Sequence, residues 1–128
     1  MSDRIEKLHD AVEARRGADP VSSRTAKLLA AGRGKMAQKL GEEAIEVVVD
    51  AVKGDRRAVV LESVDLIYHL VVLWSDLGIP PDEIWAEMDR RDAMLGIAEK
   101  LPKASDARSA ASGAAAAAAA AATAAIED

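Results

Sequence analysis

Apolar residues recur at helical spacing along most of the chain. In the first segment Ile5, Leu8 and Val12 fall on one helix face, and their spacing predicts a helix over residues 3–14. The β-branched run at residues 47–49 lies inside a longer pattern of the same 3.6-residue period, so it does not indicate a strand. The pattern therefore predicts an all-α protein.

Two further helices follow the first one. Ser22 or Ser23 is suited to cap a short helix, because a hydroxyl can accept a hydrogen bond from the exposed N–H groups of the first turn. Gly32 and Gly34 are expected to end that helix. A longer third helix is predicted over about residues 35–52.

Turn residues also separate the fourth and fifth predicted helices. Gly54 closes the third helix, and Asp55 can cap a fourth helix that runs to residue 77. The glycine and two prolines at residues 78–81 end the fourth helix, and a fifth is expected from about Asp82. The expected fold is a bundle of four to five helices.

The fourth predicted helix is apolar around nearly its whole circumference. Such a helix must be buried on all sides, and four other short helices can hardly surround it. A homo-oligomeric bundle is therefore favoured, and the alternative is a central helix within a monomer. The apolar residues that cover this helix are Val59, Val60, Leu61, Val64, Leu66, Ile67, Leu70, Val71, Val72, Leu73, Trp74 and Leu77.

Composition divides the 128 residues into two parts. Residues 104–128 contain 15 alanines, nine of them consecutive at residues 114–122. Residues 1–103 have 16 Lys and Arg against 19 Asp and Glu. The length of this part suits one compact domain. We expect the function to lie in residues 1–103 and the alanine-rich segment to have none.

Several functional classes are disfavoured by residue usage. The chain has no cysteine, so it has no disulfide framework, thiolate metal site or cysteine nucleophile. An acidic balance with three aromatic residues argues against a nucleic-acid partner. No run of about 18 strongly apolar residues and no signal-peptide pattern were found, so we expect a cytoplasmic protein without a membrane partner.

Four acidic residues are placed symmetrically about the turn at Gly54. Glu43 and Glu46 precede it by 11 and 8 residues, and Glu62 and Asp65 follow it by 8 and 11. At ~1.5 Å rise per residue, both pairs lie roughly 12–17 Å from the turn if the two helices are antiparallel. The four carboxylates are therefore expected to converge across one helix–helix seam.

Converging carboxylates indicate a metal site. Ionised together they repel one another unless a cation neutralises them, and an all-oxygen ligand set favours Mg²⁺ or Mn²⁺. The alternative is a solvated surface on which the acids pair with Lys39, Lys53 or Arg57. That alternative is weaker for Glu62 and Asp65, because they interrupt the most apolar segment of the chain.

Basic residues stand just before the acids in the sequence. Lys35 and Lys39 are four apart, so they share a helix face one turn before the first acidic pair and are placed to hold a polyphosphate. Arg24 and Lys27 are further candidates for substrate binding. His69 lies four residues after Asp65; a structural role and a substrate contact both stay open for it.

The residues resemble a known family. Glu42-Glu43-x-x-Glu46, followed after 15 intervening residues by Glu62-x-x-Asp65, resembles the magnesium motif of the all-α nucleotide pyrophosphohydrolases, the MazG-like superfamily. More narrowly, residues 5–92 resemble the phosphoribosyl-ATP pyrophosphohydrolase family. The segments that carry this narrower likeness are Arg16-Gly17-Ala18-Asp19-Pro20, Thr25-Ala26-Lys27-Leu28-Leu29, Lys35-x-x-Gln38-Lys39-x-Gly41-Glu42-Glu43 and Asp65-Leu66-Ile67-Tyr68-His69-Leu70.

The resemblance implies an activity and roles for these residues. It implies Mg²⁺-dependent cleavage of phosphoribosyl-ATP between its α and β phosphates, the second step of histidine biosynthesis, by a homodimer. Glu43, Glu46, Glu62 and Asp65 would then bind the metal and serve catalysis, with Glu42 beside them. Two other functions stay open: a MazG-like house-cleaning nucleotidase, and a non-catalytic helical bundle that a cation stabilises.

Overall fold

The computed structural model describes residues 3–95, which form helices joined by short connections and contain no strand. This confirms the all-α prediction for that part of the chain. The alanine-rich segment and the predicted domain boundary at residue 103 lie outside the described residues. The helices are α1 (Asp3–Ala14), α2 (Arg24–Ala31), α3 (Arg33–Lys53), α4 (Arg56–Asp76) and α5 (Pro81–Leu95).

The boundary between α2 and α3 differs from the prediction at one glycine. Ser23 caps α2 as expected, since its Oγ accepts a hydrogen bond from the N–H of Ala26 at 3.1 Å. Gly32 ends α2 and also precedes α3, which begins at Arg33. The prediction that Gly34 helps to end α2 is therefore wrong. A glycine in the first turn of a helix adopts ordinary helical dihedrals, and one positive-φ residue is enough to redirect the chain.

A two-residue connection joins α3 to α4. Gly54 has φ of 75°, in the left-handed region, and its N–H bonds to the carbonyl of Ala51 while the N–H of Asp55 bonds to that of Asp50. This is a Schellman ending, which satisfies the last carbonyls of α3. The carboxylate of Asp55 then caps α4 by accepting from the N–H of Ala58 at 3.0 Å. Helices α3 and α4 pack against each other, and the approach of Glu43 to Glu62 and Asp65 at similar distances from the turn shows that they run antiparallel.

A small core holds α1, α2 and α3 against the C-terminal half of α4. Its buried members are Val12, Leu28, Met36, Val71 and Val72, and Ile5, Leu8, Leu29, Tyr68, Leu73 and Trp74 pack against them. Beside this core, the buried Ser75 hydroxyl donates to Glu13 at 2.7 Å and accepts from Arg16 at 2.8 Å. A second bond from Arg16 to the Ser75 carbonyl fixes the end of α1 on α4.

The N-terminal half of α4 and the facing part of α3 leave many apolar side chains exposed. By length and composition α4 is apolar enough to cross a membrane, which the sequence analysis did not anticipate. Core helices of soluble proteins have the same property, and α4 packs on α1, α2 and α3. The exposed residues on these two helices are Ile45, Val48, Val49 and Val52 of α3 and Val60, Leu61, Val64 and Ile67 of α4.

Contacts divide the chain into two compact units, residues 1–83 and residues 84–128. The site described below lies wholly in the first unit. Most of α5 belongs to the second, where the carboxylate of Glu87 accepts hydrogen bonds from Arg90 and Arg91. These two guanidinium groups lower the pKa of Glu87 to about 2. Helix α5 begins at Pro81, one residue before the predicted start, because proline is well suited to the first helical position.

Candidate metal and substrate site

Three of the four predicted carboxylates meet at the seam between α3 and α4. One oxygen each of Glu43, Glu62 and Asp65 lies within 4.8 Å of the other two. Glu43 comes from α3 and the other two come from α4, so the short connection at Gly54 sets their common height. We call these three residues and Glu46 the acidic cluster.

Glu46 is exposed and lies beside the three converging oxygens rather than among them. It still interacts with the group: hydrogen bonding to Glu46, and then to Glu43, raises the pKa of Glu62 to about 7. Glu62 keeps its proton to a higher pH than an isolated carboxylic acid does, because Glu46 and Glu43 disfavour a negative charge on it. The cluster is therefore short of positive charge.

Glu43 is half-buried. Burial is the largest cause of its raised pKa, and hydrogen bonding to Glu46 and the charges of Glu46 and Asp65 raise it further. Its Oε2 atom is buried and has no hydrogen-bond partner among the described residues. A buried carboxylate oxygen without a partner is costly, and a bound cation would remove that cost. The ligand atoms are all oxygens, which Mg²⁺ and Mn²⁺ prefer.

Glu42, predicted to assist the metal ligands, has other partners. Its carboxylate accepts a hydrogen bond from Gln38 at 2.9 Å and pairs with Lys39 at 3.5 Å. Hydrogen bonding from Gln38 is the main cause of its lowered pKa, and Lys39 and Lys35 add to it. In sequence, Lys39 lies about one helical turn before Glu43 and Lys35 about two turns before it, and Glu42 lies between the lysines and the acidic cluster.

His69 is buried with 2% of its surface exposed, and neither ring nitrogen has a hydrogen-bond partner among the described residues. Burial is the main cause of its lowered pKa, and the nearby charge of Arg24 adds to it. The imidazole is therefore neutral at pH 7. Its ring packs edge-on against Tyr68 at a centroid distance of 5.0 Å. A neutral imidazole with two unused nitrogens can still donate one hydrogen bond and accept another.

A cavity of about 520 Å³ adjoins the acidic cluster and is lined by residues of α1, α2 and α4. Asp65 lines it, and so does Arg24, whose guanidinium carbon lies 5.2 Å from the centre of the Tyr68 ring. The Tyr68 hydroxyl is hydrogen-bonded to that of Thr25 at 2.6 Å. Sequence reasoning gave no separate role to Tyr68 or Thr25, although Tyr68 lies three residues after Asp65 and so near it on α4.

Three residues that line the cavity belong to α1, and residue spacing in the sequence could not predict them. Arg4, Ile5 and Leu8 line the same cavity from a part of the chain about 60 residues away from Asp65 in sequence. Only the packing of α1 on α4 brings them there. Lys27 lines a second cavity, in whose lining Arg24 also takes part.

Fold and site together define the class: an all-α protein with a carboxylate site suited to a divalent cation and an adjoining cavity that contains cationic side chains. The comparison with protein families is more specific. The family model described as phosphoribosyl-ATP pyrophosphohydrolase matches residues 5–92. The chain belongs to the phosphoribosyl-ATP pyrophosphohydrolase family.

Similar proteins carry names that agree with the family. Phosphoribosyl-ATP pyrophosphatase 2 of Rhodopseudomonas palustris is 56% identical over 86% of this chain and 84% of its own length. Phosphoribosyl-ATP pyrophosphatase 2 of Bradyrhizobium diazoefficiens is 60% identical over 82% of this chain and 78% of its own length. Phosphoribosyl-ATP pyrophosphatase of Azospirillum brasilense is 50% identical over 79% and 91% of the two lengths.

Proposed function

We propose that the chain is an enzyme that hydrolyses phosphoribosyl-ATP to phosphoribosyl-AMP and pyrophosphate, the second step of histidine biosynthesis. The observation that carries this proposal is the family match over residues 5–92, which includes every residue of the acidic cluster. Relatives at 46–60% identity are named for the same substrate. The reaction breaks the anhydride bond between the α and β phosphates, and the place of action is the cytoplasm.

Mg²⁺, or Mn²⁺ in its place, is the proposed cofactor. Glu43, Glu62 and Asp65 would hold it, with Glu46 beside them. The unpartnered Oε2 atom of Glu43 and the raised pKa of Glu62 support this assignment, since both are relieved by added positive charge. When bound, a divalent cation supplies charge neutralisation for phosphate oxygens and makes water more acidic.

The side chains of the chain itself bind and orient the nucleotide. Lys35 and Lys39 pair with the oxygens of the triphosphate, which reduces the charge that the leaving pyrophosphate develops. Glu46 is an exposed carboxylate that interacts with Glu62, so it would accept a proton from the attacking water. His69 offers a neutral hydrogen bond beside Asp65.

A second copy of the chain is the proposed partner, as a homodimer. Ile45, Val48 and Val52 on α3 are 65%, 61% and 84% exposed, and Val64 on α4 is 63% exposed. These residues recur at helical spacing on two adjacent helices, so they form one apolar face. Folded monomers rarely leave such a face in water. Pairing with an identical face would cover it with two more helices, in the manner of a four-helix core.

A substrate panel with Mg²⁺ tests the activity. Release of pyrophosphate is followed with phosphoribosyl-ATP, ATP and each deoxynucleoside triphosphate at equal concentrations. We expect the highest kcat/KM for phosphoribosyl-ATP and no turnover in excess chelator. A higher kcat/KM for a deoxynucleoside triphosphate would instead assign a house-cleaning role, and absence of turnover with every nucleotide would favour the non-catalytic bundle.

A further inference from the structure

Two cavities of the first unit share one arginine. The cavity beside the acidic cluster, called here the inner cavity, has a volume of about 520 Å³ and is lined by both Asp65 and Arg24. An outer cavity of about 530 Å³ is lined by Pro20, Val21, Lys27 and, again, Arg24. Shared lining residues therefore give an order along the surface: acidic cluster, inner cavity, Arg24, outer cavity.

The linings of the two cavities differ in chemistry. Ile5, Leu8, Val64 and Ile67 make most of the inner cavity apolar, which suits the flat faces of a base and the carbon side of a ribose. The inner cavity also has two cations, Arg4 and Arg24, but Asp65 lies in the same lining. The outer cavity has two cations, Arg24 and Lys27, and its lining contains no carboxylate. An anion is therefore the ligand that the outer cavity favours.

Both cations of the outer cavity are available for a ligand. Neither Arg24 nor Lys27 forms an ion pair with any residue in the described range 3–95. They lie three apart on α2, so they occupy one side of that helix. Some basic residues of the first unit do form ion pairs, for example Arg33 with Asp76 at 2.7 Å.

The guanidinium of Arg24 lies over an aromatic ring. Its central carbon is 5.2 Å from the centre of the Tyr68 ring, and the Tyr68 hydroxyl is hydrogen-bonded to Thr25 on the same helix as Arg24. A cation over an aromatic face is attracted to the ring. Arg24 is exposed, so its N–H groups are accessible to an oxyanion, which a guanidinium can contact in a bidentate way.

We propose that Arg24 and Lys27 bind the phosphomonoester at the far end of the substrate and thereby select phosphoribosyl-ATP over simple nucleoside triphosphates. This inference rests on the proposed function. Phosphoribosyl-ATP has a triphosphate at one end, a ribose and adenine in the middle, and a second ribose with a 5′-phosphate at the other end. The triphosphate would lie at the acidic cluster, the ribose and adenine in the inner cavity, and the 5′-phosphate of the second ribose in the outer cavity. A simple nucleoside triphosphate reaches the first two places only.

The test compares ligands with and without the second phosphoribosyl group. Arg24→Gln and Lys27→Gln are assayed with phosphoribosyl-ATP, and ATP is used as a competitive inhibitor of the same reaction. We expect KM for phosphoribosyl-ATP to rise by about 10- to 100-fold in Arg24→Gln, the loss typical of a charge-assisted hydrogen bond. In Lys27→Gln, which changes the outer cavity alone, KM for phosphoribosyl-ATP should also rise, while the inhibition constant of ATP should change by less than about twofold. Arg24→Lys should recover part of the loss.

A binding measurement makes the result independent of turnover. Calorimetry is expected to show tighter binding of phosphoribosyl-AMP than of AMP to the wild-type chain, and the difference should disappear in Arg24→Gln. Arg15→Gln and Lys53→Gln, at exposed positions outside both cavities, should retain it. Equal weakening of ATP and phosphoribosyl-ATP, or no change with either, would overturn the proposal. Wild-type chain that neither turns over phosphoribosyl-ATP nor prefers phosphoribosyl-AMP would remove the proposed function as well.

Discussion

Glu62 shows how strongly a single residue can depend on its neighbours. Its pKa of about 7 has two main causes, hydrogen bonding to Glu46 and to Glu43. The sequence predicted which acids meet, because their distances from Gly54 are equal. It could not predict that Glu46 lies outside the set of three converging oxygens or that Glu42 pairs with Gln38 and Lys39. Those details depend on side-chain rotamers, which residue spacing does not determine.

The raised pKa of Glu62 has a consequence for stability without metal. Between its ordinary value of 4.5 and about 7 the folded chain binds more protons than the unfolded chain, so the free energy of unfolding falls as pH rises. His69 acts oppositely below pH 6.5, because its pKa is lowered in the folded state. The difference between wild type and Glu62→Gln isolates the Glu62 contribution.

We therefore expect wild type to lose stability relative to Glu62→Gln as pH is raised from 4.5 to 7 in chelator. Chemical denaturation at several pH values measures this difference. With saturating Mg²⁺ at pH 7.5, wild type should have the higher free energy of unfolding of the two proteins, since only wild type retains all the carboxylates proposed to bind the metal. A pH-independent difference between the two would contradict the cause given for the shift.

Mg²⁺ affinity and kcat of single variants should distinguish the roles of residues in the acidic cluster. Asp65→Asn should weaken Mg²⁺ binding by at least about tenfold, because even residues that only orient a ligand contribute that much. Glu46→Gln should weaken it less while lowering kcat, because Glu46 lies outside the three converging oxygens. Calorimetry measures the first effect and steady-state kinetics the second. Asp10→Asn, an exposed acid of α1, is the control and should change neither quantity.

At the scale of elements, local rules predicted most helix ends. Ser23, Gly54 and Asp55 perform the capping roles that their residue types favour. The prediction failed at Gly34, where a second glycine follows so closely that sequence alone does not show which of the two redirects the chain. It could not show how α1 docks either, because the contact of Ser75 with Glu13 and Arg16 joins residues about 60 positions apart.

Gly41 inside α3 and Gly54 directly after it offer a matched test of backbone geometry. At Gly54 the φ of 75° is unfavourable for any residue with a Cβ, although an added methyl group would meet no atom within 4 Å. Gly54→Ala should therefore lower the free energy of unfolding by about 1–2 kcal/mol. Gly41 lies inside α3 with equal space, so Gly41→Ala should raise it by up to about 1 kcal/mol. Thermal or denaturant unfolding measures both, and changes of the same sign would contradict this account.

At the scale of the whole molecule, a single copy of the chain leaves the apolar face of α3 and α4 exposed. The sequence predicted too many apolar positions on the fourth helix for a monomer to bury, and a single chain indeed leaves Val60, Leu61 and Val64 half exposed or more. Sequence periodicity identifies such an excess but not its partner, since the same pattern fits any apolar surface.

A charge on this face should prevent self-association. Val48→Glu is expected to convert the proposed dimer to monomer, because two copies would bury two unpaired carboxylates at the interface. Light scattering after size-exclusion chromatography measures the mass. Met94→Glu, a comparably exposed residue of α5, should leave the mass unchanged. A monomeric wild type at micromolar concentration would contradict the dimer proposal.

The two-residue connection between α3 and α4 also bears on the order of events during folding. Contacts between these helices are local in sequence near the turn, so the α3–α4 hairpin is expected to form before α1 docks. The acidic residues then approach one another early, and their repulsion acts in the folding transition state. Without divalent cations, the chain should therefore fold faster as pH falls towards 5, even though the proposed metal site requires those carboxylates to be charged.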